Sequence, residues 1–241
     1  MSNLYETSRL VHEYLLFHYG APHEILPWPQ GPVAALNFPL RTVTEMTDAS
    51  PRTRALDVGC AVGRSSFELS RFCSEVVGID FSQAFIDAAR ELCTHDHIDC
   101  EIAEEGNLSR QFTAHRPAHA IPQRITFSRG DAMHLPDSLG TFDLVHAANL
   151  ICRLTNPLLF LERLPSLVRP GGELILTTPC TWLEEFTPPD RWPSGRTFDW
   201  LQSILSPHFD LVRQHDLPFL IREHARKFQW SVALGTLWKR R

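Results

Sequence analysis

Apolar and polar positions change their period several times along the chain, and each change marks an element. Through residues 4–19, Leu4, Leu10, Val11, Tyr14, Leu15 and His18 recur at roughly helical spacing, which predicts a helix. Residues 20–50 are rich in proline and read as loop with a short helix. From there strands and helices alternate. Residues 53–58 (TRALDV) read as a buried strand and 64–72 as a helix. Residues 75–80 (EVVGID) form the next strand, and Ser82 is placed to cap a helix over 83–93. Residues 95–121 are polar and weakly patterned, as in an insertion. Strands follow at 124–129 (RITFSR) and 141–148 (TFDLVHAA), then a helix over 157–168 stopped by Pro170-Gly171-Gly172, then a strand at 173–178 (ELILTT). The proline-rich stretch 179–197 reads as a cap, 198–205 as helical, and 209–214 and 228–238 as a closing antiparallel hairpin. Strand-helix alternation of this kind predicts a doubly wound α/β fold with a mainly parallel, seven-stranded sheet covered on both faces.

The length of 241 residues suits one domain. Within it, 1–50 would be a cover, 51–178 the ligand-binding core, 179–197 the cap and 198–241 the last strands. A net charge of -5 and a pI near 6.2 supply no electrostatic footprint for nucleic acid, and the basic end Lys239-Arg240-Arg241 is too short to change that. No apolar run approaches the roughly 20 residues that span a bilayer. The start, MSNLYETSRL, has polar residues where a signal peptide has its apolar core, so a cytoplasmic location is expected. The six cysteines match no metal spacing and read as reduced, packed thiols; His95-Asp96-His97 reads as solvated loop, and no metal is expected.

The chemistry gathers around LDVGCAVGRSS, residues 56–66. Asp57 ends a strand, and Gly59, Cys60, Ala61 and Gly63 lie in a tight turn before a helix. Such a turn brings backbone N–H groups close to a ligand. Asp80 ends the next strand, where a carboxylate can take both hydroxyls of a ribose. A dinucleotide fingerprint would need glycine where Arg64 stands, and Asp57 would face phosphate charge. A cationic ligand such as a sulfonium amino acid suits that acid better. Asp131, after the third strand of the sequence, can accept from an adenine amino group, with Ala132 and Met133 against the ring; it could equally cap a short helix.

These segments, with FDLVHAANLI (142–151) and LVRPGGELIL (167–176), resemble the class I S-adenosylmethionine methyltransferases in order and spacing over about residues 50–178. The resemblance implies a Rossmann-like fold with S-adenosylmethionine as cofactor. Its binding would fall to Asp57, Gly59, Cys60, Ala61, Gly63, Asp80, Phe81, Asp131, Ala132, Met133, Ala148 and Asn149, with Arg41 a candidate for its carboxylate. Asn149 would sit beside the transferred methyl. One departure is Ala61, where many members have glycine; its methyl group is tolerable if φ there stays negative.

The flanks carry a narrower resemblance. YETSRLVHEYLLFHYG (5–20), residues 26–41, TWLEEFTP (181–188) and IREHARKFQWSVA (221–233) are similar to the mercaptohistidine N-methyltransferase family of ovothiol biosynthesis. That family resembles, as a separate chain, the C-terminal domain of ovothiol synthase. The likeness implies methyl transfer to an imidazole nitrogen of a sulfur-bearing histidine supplied by a separate sulfoxide synthase and lyase. Tyr14, His18, Tyr19 and Asn149 are then the catalytic candidates. Tyr14, His18, Arg153, Trp182, Glu184, Arg222 and Lys227 are the substrate-binding candidates. Arg222 or Lys227 would meet the substrate carboxylate, Lys227 alternatively the thiolate, and Glu184 the ammonium. A methyltransferase for another small metabolite and a non-catalytic cofactor-binding module stand as alternatives.

Overall fold

Leu56, Val58, Leu144, Val145, Leu174 and Ile175 are wholly buried because their strands lie inside a sheet with helices on both faces. The computed structural model describes residues 3–241, with backbone alone at Asn3 and Leu4. Met1 and Ser2 of the polar start, and the Leu4 side chain of the helical pattern, lie outside the described residues.

The chain opens with α1 (Ser8–Tyr19), α2 (Pro22–Ile25) and α3 (Phe38–Thr44), so the proline-rich entry holds two short helices. The alternating core follows: β1 (Arg52–Val58), α4 (Arg64–Leu69), β2 (Cys73–Asp80) and α5 (Gln83–His95). Ser82 caps α5 as expected, its hydroxyl accepting from the Phe85 N–H at 3.1 Å.

The expected insertion is an antiparallel hairpin of β3 (His97–Glu105) and β4 (Leu108–His115). Cys100, Ile102, Phe112 and Ala114 face inward, with Glu101 and Thr113 between them. So few apolar positions, on strands with so many charges, give only a faint period of two.

The core resumes with β5 (Ile125–Arg129), β6 (Phe142–Ala148), α6 (Pro157–Leu167) and β7 (Val168–Thr178). Here Pro170-Gly171-Gly172 lies within the first half of β7, not before it; Gly171 turns through φ +75°. The chain ends with α7 (Thr197–Leu205), β8 (Phe209–His224) and β9 (Lys227–Arg240). β8 runs ten residues further than its pattern predicts, since it is the sheet's edge strand and its first half is exposed.

The sheet order is β5-β2-β1-β6-β7-β9-β8, with β9 antiparallel to both β7 and β8 and the other pairs parallel. This is the seven-stranded, doubly wound arrangement with an antiparallel edge hairpin. The carboxyl ends of β1, β2, β5 and β6 open on one edge, under α1 and the cap. Among the described residues no helix is long and apolar enough to cross a membrane.

Candidate active site

A cavity of about 450 Å³ lies at that edge. Gly59 turns at φ +73° and Gly63 at +88°, so both positions require glycine. A methyl group on Gly63 would sit 2.7 Å from the Phe127 ring, so this glycine serves helix-strand packing and does not line the cavity. Ala61 stands at φ +47°, against the expectation of a negative value. Its N–H donates to Asp80 Oδ2 at 2.9 Å, a bond that holds a conformation costing about 1–2 kcal/mol for a residue with a Cβ.

Asp80 takes that bond and another from the Ser82 N–H at 2.9 Å. Burial pushes its carboxyl up to about 6, with Asp57 adding to the rise and the N–H groups of Ser82, Ala61 and Phe81 opposing it. Asp57 is 1 % exposed and held on both oxygens: the Ser66 hydroxyl donates at 2.6 Å, and His146 Nδ1 lies at 2.8 Å. His146 is equally buried, and its Nε2 lies 3.0 Å from the Thr42 hydroxyl. That hydroxyl also reaches the Pro39 carbonyl at 3.0 Å. The Asp57-His146-Thr42 chain thus braces the floor of the glycine turn. Sequence reasoning missed His146; a lone imidazole in the apolar run of β6 was the available signal.

Asp131 lines the cavity and also caps: its carboxylate accepts from the Met133 N–H at 2.9 Å and pairs with His134. Ala132, Leu150 and Leu154 give it apolar neighbours along the wall, while Met133 turns into the core instead. Cys60, Phe81, Ala148 and Asn149 line the cavity too. Asn149 adopts φ +53°, and its amide oxygen accepts from the Thr177 hydroxyl at 3.0 Å.

The cover closes the other end. Ser82 donates to the Tyr5 carbonyl at 2.8 Å, and the Glu6 carboxylate takes the Gln83 and Ala84 N–H groups at the start of α5, where a negative charge also suits the helix dipole. Tyr5, Tyr14, Phe17 and His18 then face the cavity from α1 and the turn before it. Burial lowers the His18 imidazole to about 3, with Arg64 adding, so the ring is neutral; among the described residues its Nδ1 has no hydrogen-bond partner. Burial raises the Tyr14 phenol well above its ordinary range. Phe219, Ile221, Gln229 and Ser231 from β8 and β9 complete the wall, together with Pro179, Thr181, Leu183 and Phe186 of the cap.

Besides Gly63 and Met133, six expected site residues stand elsewhere. Tyr19 donates its hydroxyl to the Val62 carbonyl at 2.6 Å and supports the glycine turn from behind. Arg41 pairs with Glu45 at 2.6 Å and donates to the Ala34 and Pro218 carbonyls. Trp182 packs into the core beside Trp200, its indole N–H on Thr197. Glu184 is exposed on the cap. Arg222 is buried against Glu104 at 2.6 Å, and Lys227 pairs with Glu223 at 2.6 Å across the β8-β9 turn. None of the six lines the cavity. Arg153 does, with its guanidinium over the Phe186 ring, 4.6 Å from the centroid.

The chain is similar to known methyltransferases in sequence and in fold. A family model described as a methyltransferase domain matches residues 56–176. Among curated relatives, the tRNA U34 carboxymethyltransferase of Idiomarina loihiensis is 28 % identical over 199 residues, 76 % of this chain and 54 % of that protein. The ubiquinone biosynthesis O-methyltransferase of Ruegeria pomeroyi is 27 % identical over 192 residues, 75 % of this chain and 67 % of that one. The chain thus spans about half to two thirds of the length of these relatives. Among solved structures, the N-methyltransferase NodS of Bradyrhizobium japonicum, in complex with S-adenosyl-l-homocysteine, superposes with TM-score 0.54 at 16 % identity, covering 84 % of this chain and 83 % of that one. The magnesium protoporphyrin IX methyltransferase of Synechocystis, with bound S-adenosylmethionine, gives 0.53 at 16 % over 100 % and 86 %. The fold is therefore the Rossmann-like class I methyltransferase fold.

Proposed function

The chain belongs to the methyltransferase-domain family, and from that premise we propose that it moves a methyl group from S-adenosylmethionine to an imidazole nitrogen of mercaptohistidine, giving ovothiol A. One observation carries the acceptor. All four flanking segments that resemble the mercaptohistidine N-methyltransferases contribute to a single wall: Tyr14 and His18 from 5–20, Phe38 and Pro39 from 26–41, Thr181 and Phe186 from 181–188, and Ile221, Gln229 and Ser231 from 221–233. Together they enclose a small, largely aromatic space, which suits a ring of imidazole size.

The residues present fit the cofactor. Asp80 at the end of β2 is open to two ribose hydroxyls, Asp131 and its apolar neighbours suit adenine, and Gly59 leaves room over the turn for the amino-acid portion. When bound, the cofactor supplies a methyl carbon on a positive sulfur, which leaves as a neutral thioether. What the chain supplies is position. Asn149 is locked by Thr177 at the mouth of β6, so the floor of the reacting site cannot shift. The aromatic wall offers few groups to hold water beside a bound acceptor, and a drier site sharpens every charge inside. The attacking nitrogen must be unprotonated when the acceptor binds, because burial makes the His18 imidazole too weak a base to take that proton; His18, held neutral, can instead orient the acceptor through a hydrogen bond. Tyr14, its phenol held protonated, can only donate from oxygen or accept on its lone pairs.

Sulfur is the stronger nucleophile of mercaptohistidine in solution, so the pocket must hold sulfur out of line. The expected product is methylated on the ring nitrogen nearer the side chain and nowhere else, and histidine is a poor acceptor. Product structure by NMR after incubation with labelled cofactor tests this. Methylation mainly on sulfur, or histidine turned over as fast as its thiol, would refute the acceptor while leaving the family membership untouched. An oxygen acceptor, as the names of some relatives imply for those proteins, is the second outcome the same assay detects.

A further inference from the structure

The cavity is unevenly charged along its length. Asp57, Asp80 and Asp131 gather where the cofactor fits, with Arg129 exposed beside them over Phe81. Glu6 also reaches the wall there, but its carboxylate is engaged by the N-terminal N–H groups of α5. Between α1 and the cap, one formally charged side chain remains among the described residues lining the cavity: Arg153.

Arg153 is half-buried, four positions past Asn149. Its guanidinium lies over Phe186 and meets the Tyr5 phenol. Its remaining contacts are long, 3.4 Å to the carbonyls of Cys152 and Thr181. Among the described residues no carboxylate comes within ion-pair distance of it, whereas Arg222 and Lys227 each have one at 2.6 Å. A guanidinium has five N–H donors in a fixed fork that matches a carboxylate edge-on. Leaving such a group half-desolvated without a counter-charge is unfavourable, and an anion from solution relieves it. The two aromatic rings keep the fork from swinging away.

We propose that Arg153 binds the carboxylate of the methyl acceptor, and that the site thereby selects small acceptors carrying one. The assignment rests on the reading that the acceptor occupies the space between α1 and the cap. It moves the carboxylate anchor from Arg222 and Lys227, which are already neutralised, to a residue in the loop after β6. Fixing the acid group there also fixes the direction from which the acceptor ring approaches Asn149.

The test compares wild type, Arg153→Met and Arg153→Lys on a paired panel: mercaptohistidine, its decarboxylated amine, histidine, and a hydroxybenzoic acid beside the matching phenol. Cofactor affinity by calorimetry is read alongside KM and kcat. Arg153→Met should raise KM for every acid that wild type turns over by about 30-fold, the loss of a charge-assisted, two-point contact. Arg153→Lys should recover part of it, while cofactor affinity stays within about twofold and shows that both variants are folded. The decarboxylated amine should be a poor acceptor for wild type and indifferent to the substitution. A weakened cofactor with unchanged acceptor KM would assign the guanidinium to the methionine carboxylate and overturn the proposal. So would an amine as good as its acid, or a loss that follows the thiol instead of the carboxylate. If only another acid is turned over, with the same Arg153 dependence, this inference stands and mercaptohistidine falls. If mercaptohistidine is turned over without that dependence, the reverse holds. No turnover of any acid by wild type removes both.

Discussion

At Asp80, burial and hydrogen bonding pull against each other. Its carboxyl sits near 6 in the free protein, yet the ribose contact needs the ionised form. Two hydroxyl bonds to a carboxylate are worth roughly 1.5–3 kcal/mol each, so Asp80→Ala should abolish measurable cofactor binding in calorimetry while the protein stays folded. Asp131→Ala should cost less, since it loses one bond to a neutral donor. The same carboxyl makes binding pH-dependent: affinity should be constant above pH 6 and fall as pH drops through it, by up to about tenfold per unit. Constant affinity from pH 5 to 8 would remove Asp80 from the ribose. For folding, the signs differ between two neighbours. Asp80 holds a proton that the unfolded chain has released between about pH 4 and 6, so its support for the fold is full below that window and lost as pH rises through it. His18 refuses a proton that the unfolded chain accepts below about 6.5, so its contribution is lost as pH falls from there toward 3.

At the scale of elements, the cap divides in two. Thr187 is fully buried with its hydroxyl on the Leu154 carbonyl at 2.7 Å, and the Trp192 indole N–H reaches back to the Thr187 carbonyl at 2.8 Å. The half that touches the cavity, residues 179–186, is tied at the Thr181 carbonyl and the Phe186 ring to Arg153, a side chain that itself lines the cavity. Hydrogen exchange should therefore show new protection over 179–186 when both ligands bind, and little change over 187–197. Equal protection of 179–186 in free and bound protein would make that half a rigid wall. Little of this division is legible in the sequence. Proline and tryptophan mark the stretch as irregular, but which carbonyl each donor finds depends on the loop after β6 packing against it.

For the whole molecule, the closing antiparallel strands are part of the core and not an appendage. Trp238 of β9 is 1 % exposed among the side chains under α6 and α7, with its indole N–H unpartnered among the described residues. Trp238→Ala should cost about 3–5 kcal/mol of stability, whereas Trp238→Phe keeps a ring, discards the orphan donor and should cost much less. Urea unfolding of both variants measures the difference. Similar losses would mean that the indole N–H finds a partner in solution.

What the sequence by itself determined is local in origin. The period of each buried strand, the glycine turn after β1, the cap at Ser82 and the acids at the ends of β1, β2 and β5 depend on residues close together in the chain. They suffice for the strand-helix order and for the cofactor end of the cavity. What only the tertiary structure decided is which charges were still free. Arg222 and Lys227 look as available as Arg153 in a string of letters. Yet Arg222 meets Glu104, 118 positions away, because β8 runs on past its predicted end to lie beside the β3-β4 hairpin. His146 finds Asp57 across 89 positions because β6 pairs with β1. A charge is neutralised by whatever group the fold brings within a few ångströms, and sequence spacing carries no information about that distance.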